Sequence, residues 1–220
     1  MNRRRLVYPS MLRMTIVVFG LVVALMESAA SPAAVSELQD AWAQAMYVGS
    51  AEAREESLDK LATQAREEVS RQPRDAALLI WKGIILSTLA GERGGLGGLA
   101  LAKEARRSLE QALEIDASAL SGSAYTSLGS LYFKVPGWPI GFGDHKKARE
   151  YLAKALEVNP RGIDPNYFMG DFLIEEGEHK KARRYLETAL AAPDRPGRSV
   201  ADAGRREEIR AKLAALDAGH

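Results

Sequence analysis

Two histidines are the first side chains in this sequence whose type and spacing could support chemistry. His145 and His179 lie 34 residues apart, and each stands three residues before an alanine, so they occupy one structural position in two similar segments. Equivalent positions of stacked segments could converge on a metal ion, but zinc takes three or four ligands from the protein. Because no third ligand is visible, we predict no metal site and no cofactor.

Three glutamates are the second chemical candidate. Glu175, Glu176 and Glu178 surround Gly177. A carboxyl group that acts as a catalytic acid needs an apolar pocket, whereas a glycine among charged residues is typical of a solvated turn. The sequence also lacks cysteine and has no serine in a G-x-S-x-G elbow. We therefore predict that the protein is not an enzyme.

A glycine-rich run, GLGGLA from Gly95 to Ala100, formally matches the dinucleotide-binding fingerprint. That fingerprint requires a preceding strand and a surrounding βαβ unit, but the residues before this run have a helical pattern. No Gly-Lys-Ser or Gly-Lys-Thr follows that would make a phosphate loop. We predict instead that the four glycines of residues 94–98 form a flexible, enlarged turn.

The stretch KVPGWPIGFGD, residues 134–144, combines helix breakers with apolar side chains. Its prolines and glycines predict a specific backbone path between two helices. Trp138, Ile140 and Phe142 are too apolar to be left in water. Two interpretations remain open: these side chains fold inward over a groove and line a binding site, or they plug the end of a helical stack.

The helices that carry these residues follow an internal repeat. The clearest unit contains Met169-Gly170-x-x-Leu173, Gly177, Ala182-x-x-x-Leu186-x-x-Ala189 and Pro193. Two earlier units align on Gly129 and Ala148, and on Gly83 and Ala105. The alanines at 148 and 182 are 34 residues apart, which is the tetratricopeptide repeat period. From about residue 36 onward, the chain therefore resembles a tetratricopeptide-type helical repeat protein.

The repeat predicts an all-α fold, a right-handed superhelix of antiparallel helix pairs. Glycines stand where two helices approach closely, and prolines end the second helix of a pair. Apolar spacing predicts helices over 36–48, 51–71, 75–90, 98–115, 121–134, 144–158, 164–176, 178–191 and 201–216. Residues 31–220 would form one domain with repeats at 36–73, 75–117, 121–160 and 164–193 and a capping helix at 201–216.

Two repeats carry extra residues between their helices. Insertions in a solenoid map to one face, often the binding face, so the turns near residues 89–98 and 134–144 should lie side by side on one rim. The first helices should line the groove, which would suit a peptide, a partner loop or a small organic acid near Lys134. A plain solvated surface remains the alternative. The predicted binding residues are Thr126, Ser130, Tyr132, Phe133, Lys134, Trp138, Ile140, Phe142, Asp144, Tyr167, Asp171 and Ile174.

The N-terminus has the pattern of a secretory signal peptide. Basic MNRRR is followed by apolar TIVVFGLVVALM and small-residue ESAASPAA, so we predict that residues 1–30 are cleaved after Ala30. A retained anchor is the alternative, although the apolar segment is short for a bilayer core. The protein would then be exported, most simply to the periplasm, without a lipid anchor on cysteine and without membrane insertion after cleavage.

Charge argues against nucleic acid as a partner. The formal net charge at pH 7 is +1, and basic residues alternate with acidic ones in segments such as KKAREYLAKALE. Nucleic-acid binding proteins concentrate basic residues on one face. We therefore predict a protein, peptide or small-molecule partner.

The enlarged turns and the KVPGWPIGFGD loop are similar to the T component of bacterial TRAP transporters and, more distantly, to regulators of microtubule dynamics. The resemblance covers residues 36–216 and is most specific over 129–190. It implies an exported protein that partners a solute-binding protein, as an oligomer with a central channel. Members are often lipoproteins, and the missing cysteine departs from that pattern. The alternative function is a free periplasmic scaffold or assembly factor that grips peptide segments.

Overall fold

The structure is a computed structural model that describes residues 32–218, and the predicted signal peptide lies outside this range. The described residues form nine helices and no β-strand: α1 Pro32–Tyr47, α2 Ala51–Arg71, α3 Ala76–Arg93, α4 Gly95–Ile115, α5 Ala119–Lys134, α6 His145–Val158, α7 Ile163–Glu175, α8 His179–Leu190 and α9 Ser199–Ala218. Every helix predicted from the sequence is present, and the all-α fold class is confirmed.

The helices are arranged in two layers. Each odd-numbered helix contacts the next odd-numbered helix, and together α1, α3, α5, α7 and α9 form an inner layer. The even-numbered helices form the outer layer, where each packs against its own partner and the next inner helix. This is the tetratricopeptide-like stack of helix pairs that the repeat predicts.

Glycine–leucine contacts hold the inner and outer helices of a pair together. A Cβ atom on Gly83 would lie 2.5 Å from Leu109 Cγ, and one on Gly129 would lie 2.6 Å from Leu152 Cγ. In the third helix pair, a Cβ atom on Gly170 would lie 2.8 Å from Leu186 Cγ. The leucine therefore occupies the space that any other side chain at the glycine would need.

The predicted enlarged turn at residues 89–98 is wrong. Helix α3 continues to Arg93 and α4 begins at Gly95, so the reversal takes a single residue, Gly94, with φ +62°. The extra residues lengthen both helices instead, and Arg93 fixes the extension by ion pairs to Glu55 and Asp59 of α2. The GLGGLA run is thus the first turn of a helix that follows another helix.

The loop at residues 135–144 is the one insertion that remains a loop. Gly143 N donates a hydrogen bond to Pro136 O (3.0 Å), and Asp144 N donates to Tyr132 O (2.8 Å). The side chain of Asp144 then caps α6 by accepting hydrogen bonds from the backbone of its first turn. The loop leans on α4, because Arg106 lies 4.4 Å from the ring centre of Phe142.

Helix α9 closes the inner layer on itself. It packs against α7 and α8, as a terminal capping helix would, but it also contacts α1 at the opposite end of the stack. A Cβ on Gly204 would overlap the ring of Tyr47, so the two helices approach as closely as the paired helices do. The five inner helices therefore form a ring.

Candidate functional site

The interior of this ring is a cavity of about 810 Å³. All five inner helices and the segments that precede α7 and α9 contribute to its walls. Its lining includes Trp42 and Tyr47 of α1, Trp81, Ile84 and Thr88 of α3, Ser123, Thr126, Ser127 and Ser130 of α5, Asp164 and Phe168 of α7, and Arg195, Arg198, Arg205 and Glu208 around α9. Its volume falls in the range of pockets that hold small ligands.

Aromatic rings form the wall where α1 meets α3. Trp42 packs edge-on against Trp81, with 6.0 Å between ring centres, and against Tyr47 at 5.8 Å. The indole N–H of Trp42 donates a hydrogen bond to Thr88 Oγ1 at 3.0 Å. This wall therefore offers flat apolar surface whose orientation is fixed by packing and by one hydrogen bond.

The opposite wall is rich in hydroxyl groups. Ser123, Thr126, Ser127 and Ser130 of α5 face the cavity, and Thr126 and Ser130 were predicted as groove residues. The wall begins at an unusual turn, because Leu120 and Ser121 have φ values of +48° and +55°. Residues other than glycine rarely adopt this conformation, so the entry to α5 is a strained segment beside the cavity.

A cluster of ion pairs ties α9 to α7. Arg205 donates from Nε to Asp164 Oδ1 (3.0 Å) and from Nη1 to Glu208 Oε2 (2.5 Å). Arg195 bridges Asp164 (2.6 Å) and the buried Asp202 (2.6 Å). The guanidinium of Arg205 also covers the ring of Tyr167 at 4.2 Å. The cluster closes the ring of inner helices on the side of α9.

The pKa values in this cluster follow from burial and charge. Burial raises the pKa of Asp164, but Arg205 and Arg195 outweigh it and hold that pKa at about 2. Burial raises the pKa of the Tyr47 and Tyr167 hydroxyls far above the ordinary value. Asp164 is therefore a permanent anion at neutral pH, and both tyrosines are neutral hydrogen-bonding groups.

Acid should weaken the docking of α9 through Asp164. Its folded pKa, about 2, lies below the ordinary value of 3.8, so the unfolded chain takes up the proton first as the pH falls. The stabilisation is complete above about pH 5 and is lost towards pH 2, a loss of about 2 kcal/mol. Urea unfolding between pH 6 and pH 2 should show this slope in the wild type and a reduced slope in Asp164→Asn. Asp217→Asn, at a largely exposed ion pair, is the control that should leave the slope unchanged.

Most of the other predicted binding residues belong to the packed core. Tyr132, Phe133 and Tyr167 are buried, and Ile174 packs against the core. Phe142 packs edge-on against Tyr132 at 5.6 Å, so this one loop aromatic packs against the core. None of these residues lines the cavity, and only Thr126 and Ser130 of the predicted set do.

Two loop residues contradict the prediction that the loop folds inward. Trp138 is 90% exposed and Ile140 is 66% exposed. Both side chains therefore lie in solvent, while Phe142 packs against Tyr132. Neither residue lines the cavity.

The predicted acid-binding lysine is already neutralised within the protein. Lys134 Nζ lies 2.6 Å from Glu175 Oε1 and 3.0 Å from Asp171 Oδ2. Asp171 also accepts from Lys212 of α9 at 2.5 Å. Lys134 and Asp171 therefore join inner helices, and neither is free to recognise a ligand.

The chemical candidates of the sequence lie outside the cavity. His145 Nδ1 is 2.6 Å from Glu176 Oε1, and Arg149 pairs with both Glu176 and Glu178, so these glutamates link α6 to the α7–α8 turn. Within residues 32–218 no group of three or more histidine, aspartate or glutamate side chains could hold a metal ion. No helix in that range is both long enough and apolar enough to span a membrane.

Comparison with known families identifies the repeat. Residues 140–199 match the tetratricopeptide repeat family model. This segment is similar to a tetratricopeptide repeat. It contains α6, α7 and α8, and hence the Gly170–Leu186 contact and the turn at Gly177. The same glycine–leucine contact in the two preceding helix pairs shows that they repeat its packing.

Solved structures are similar to this chain at low sequence identity. Two crystal structures of MamA are 20% and 19% identical, cover 78% and 83% of this chain and 93% and 89% of their own, and both have a TM-score of 0.45. The pilF protein of Pseudomonas aeruginosa is 16% identical, covers 84% of this chain and 95% of its own, and has a TM-score of 0.35. At these values the similarity does not extend to function. No curated protein matches the chain.

The charged and aromatic residues of the cavity could not be recognised from the sequence. Arg195, Arg198 and Arg205 belong to a segment that reads as a charged, solvated cap. Trp42 and Trp81 read as ordinary core residues of the first two repeats. Only the closure of α9 onto α1 brings these two groups around one space.

Proposed function

We propose that this tetratricopeptide-type scaffold is a non-catalytic binding protein that holds a small ligand, or a short segment of a partner, inside its ring of inner helices. One observation carries the proposal: all five inner helices line a single cavity of about 810 Å³. Aromatic walls with a few polar groups at fixed positions are the usual composition of a ligand pocket.

The side chains of the cavity support binding rather than catalysis. Among residues 32–218, its lining contains no histidine. Its carboxylates at 164, 194 and 208 are each engaged by an arginine. The serines of α5 therefore have no adjacent base that could activate them as nucleophiles. Groups whose charges are already paired orient a ligand but do not exchange protons with it.

The closed ring favours a compact ligand over a long peptide. An extended client segment docks sideways into an open groove, and the contact between Tyr47 and Gly204 removes such a groove by joining the two ends of the inner layer. This supports the first of the two functions considered from the sequence, the accessory of an uptake system, over a scaffold that grips many extended clients.

We therefore propose that the protein is exported through residues 1–30 and works beside a solute-binding protein, as its resemblance to the TRAP transporter T component implies. The helical-repeat architecture and the ligand-sized cavity support this assignment. Fractionation of the host followed by mass measurement of the mature chain tests export. Co-purification of a solute-binding protein in a fixed ratio tests the partnership, and many unrelated clients would contradict it.

Filling the cavity should abolish ligand retention. Ser127 faces the cavity from α5, so Ser127→Trp should occupy the space without disturbing the ion pairs of α9. Native mass spectrometry of protein purified from its host should show a bound mass on the wild type that is lost, by at least tenfold in occupancy, in Ser127→Trp. Ala153→Trp places the same ring at an exposed position of outer helix α6 and should retain the mass. Equal retention by both variants would place the ligand elsewhere.

A further inference from the structure

Arg198 differs from the other two arginines around α9. Arg195 and Arg205 each pair with two carboxylates. Arg198 lines the same cavity, yet within residues 32–218 no carboxylate lies within ion-pair distance of it. Its guanidinium lies 4.9 Å from the ring centre of Trp81. Arg198 thus presents a half-buried positive charge, held by an aromatic ring, to the interior of the ring of helices.

Trp81 supplies a second unused group at the same place. The side chain is only 3% exposed, and its indole Nε1–H has no hydrogen-bond partner in the described part of the chain. Buried polar groups are nearly always paired, and the neighbouring Trp42 follows this rule through Thr88. Because Trp81 also lines the cavity, an acceptor brought by a ligand would pair this N–H.

The electrostatics of Arg198 agree with an anionic ligand. Burial and the nearby charge of Arg195 lower the pKa of Arg198, which means that its positive charge is poorly solvated and incompletely balanced. The carboxylates of Asp164, Asp202 and Asp40 offset this only from a distance. An anion next to the guanidinium would gain a charge-assisted hydrogen bond in a site of low polarity.

We propose that Arg198 and Trp81 form a subsite for the carboxylate of a small organic acid with an apolar body, a proposal that rests on the binding function of the cavity. The guanidinium and the indole N–H are both hydrogen-bond donors, and a carboxylate brings two acceptor oxygens. The flat surfaces of Trp42 and Phe168 and the side chain of Ile84, all in the cavity lining, accept the apolar body. Arg161 also lines the cavity but is exposed to solvent, so Arg198 is the half-buried charge that a ligand would meet, and one such charge is too little for a phosphate dianion.

The indole resonances of the protein test this directly. The chain has three tryptophans, so a ¹⁵N-labelled sample gives three indole N–H signals, and the exposed Trp138 serves as internal reference. We expect 3-phenylpropionate, at constant ionic strength, to shift the Trp81 signal saturably. The neutral 3-phenylpropionamide should bind at least tenfold more weakly, and inorganic phosphate should not compete. A peptide that ends in phenylalanine, with free or amidated C-terminus, shows whether a chain terminus can supply the carboxylate.

Variants assign the effect to the two residues. Arg198→Gln should weaken binding of 3-phenylpropionate at least tenfold. Trp81→Phe, which keeps an aromatic ring of smaller size but removes the N–H, should weaken it about threefold or more. Arg184→Gln removes an exposed arginine of outer helix α8 and should bind as the wild type does. Thermal unfolding checks that each variant is folded. If a variant does not fold, the comparison of the acid with the amide on the wild-type protein still tests the subsite.

Equal binding of the acid and the amide, competition by phosphate, or unchanged binding in Arg198→Gln would overturn the subsite. The subsite can fail while the proposed function stands. In that case the ligand that the wild type retains from its host would still be lost in Ser127→Trp but would be kept in Arg198→Gln. The wild type would also not bind 3-phenylpropionate.

Discussion

Replacing Gly129 with valine is expected to destabilise the fold by about 3 kcal/mol. A Cβ at this position would lie 2.6 Å from Leu152 Cγ and 3.2 Å from the Leu152 backbone nitrogen. A leucine side chain can rotate away from a clash, but the backbone of α6 cannot, so the two helices must separate. Thermal unfolding should show a midpoint lowered by roughly 6–12 °C.

Gly91 provides the matched control. It lies in α3, and a Cβ there would meet nothing within 4 Å. Gly91→Ala should therefore stabilise the protein by about 0.5–1 kcal/mol, because alanine loses less backbone entropy in a helix. Opposite signs at the two glycines would establish that the repeat glycines act through close approach of helices. A Gly129→Val variant as stable as the wild type would refute that packing.

Replacing Arg205 with alanine is expected to cost about 3 kcal/mol. The guanidinium balances Asp164 and Glu208 and covers the rings of Tyr167 and Phe168. Its removal leaves two carboxylates without this partner in a poorly hydrated site. Because these contacts join α9 to α7, amide hydrogen exchange should speed up most in α9 and at its contact with α1.

Arg183 is the control for this second prediction. It pairs with Asp217 across α8 and α9, but the Asp217 side chain is 67% exposed, and such surface pairs contribute about 1 kcal/mol or less. Arg183→Ala should therefore have a small effect on urea unfolding and on exchange. If the two variants behaved alike, the cluster at Arg205 would be no more than a surface ion pair.

The local elements of this fold could be predicted because their signals are local. Glycine, alanine and leucine recur at the positions where two adjacent helices touch, and helix ends carry caps such as Ser50, Asp75 and Asp144. The contact between Gly129 and Leu152 is visible as a spacing within one repeat. Packing between neighbours in sequence therefore follows from pattern alone.

The α3–α4 reversal was mispredicted because the prediction relied on the low helix propensity of glycine. Four glycines in residues 94–98 predict a loop, since glycine is a poor helix former. In the structure, Gly98 lies against the backbone of Ala90, whose carbonyl oxygen would be 2.5 Å from a Cβ. The glycines allow two long helices to meet at a tight reversal, and ion pairs to α2 stabilise the extension.

The site could not be read from the sequence because it depends on contacts between distant residues. Arg205 meets Asp164 from 41 positions away, and no repeat signature encodes that pairing. The sequence instead favoured Lys134 and Asp171, whose charges proved to neutralise each other. It also favoured Trp138, which the loop directs outward. Of the polar residues predicted near the groove, Thr126 and Ser130 do line the cavity. Their position could be predicted because the face of a helix alone determines where these side chains point.

The meeting of α1 and α9 sets a constraint on how this protein can evolve. Open solenoids grow and shrink by duplication or loss of whole units, because each unit contacts only its neighbours. Here a duplicated or deleted unit would move Gly204 away from Tyr47 and open the ring of inner helices. The number of units is therefore fixed by geometry, and diversification must proceed by substitution of the inward-facing side chains.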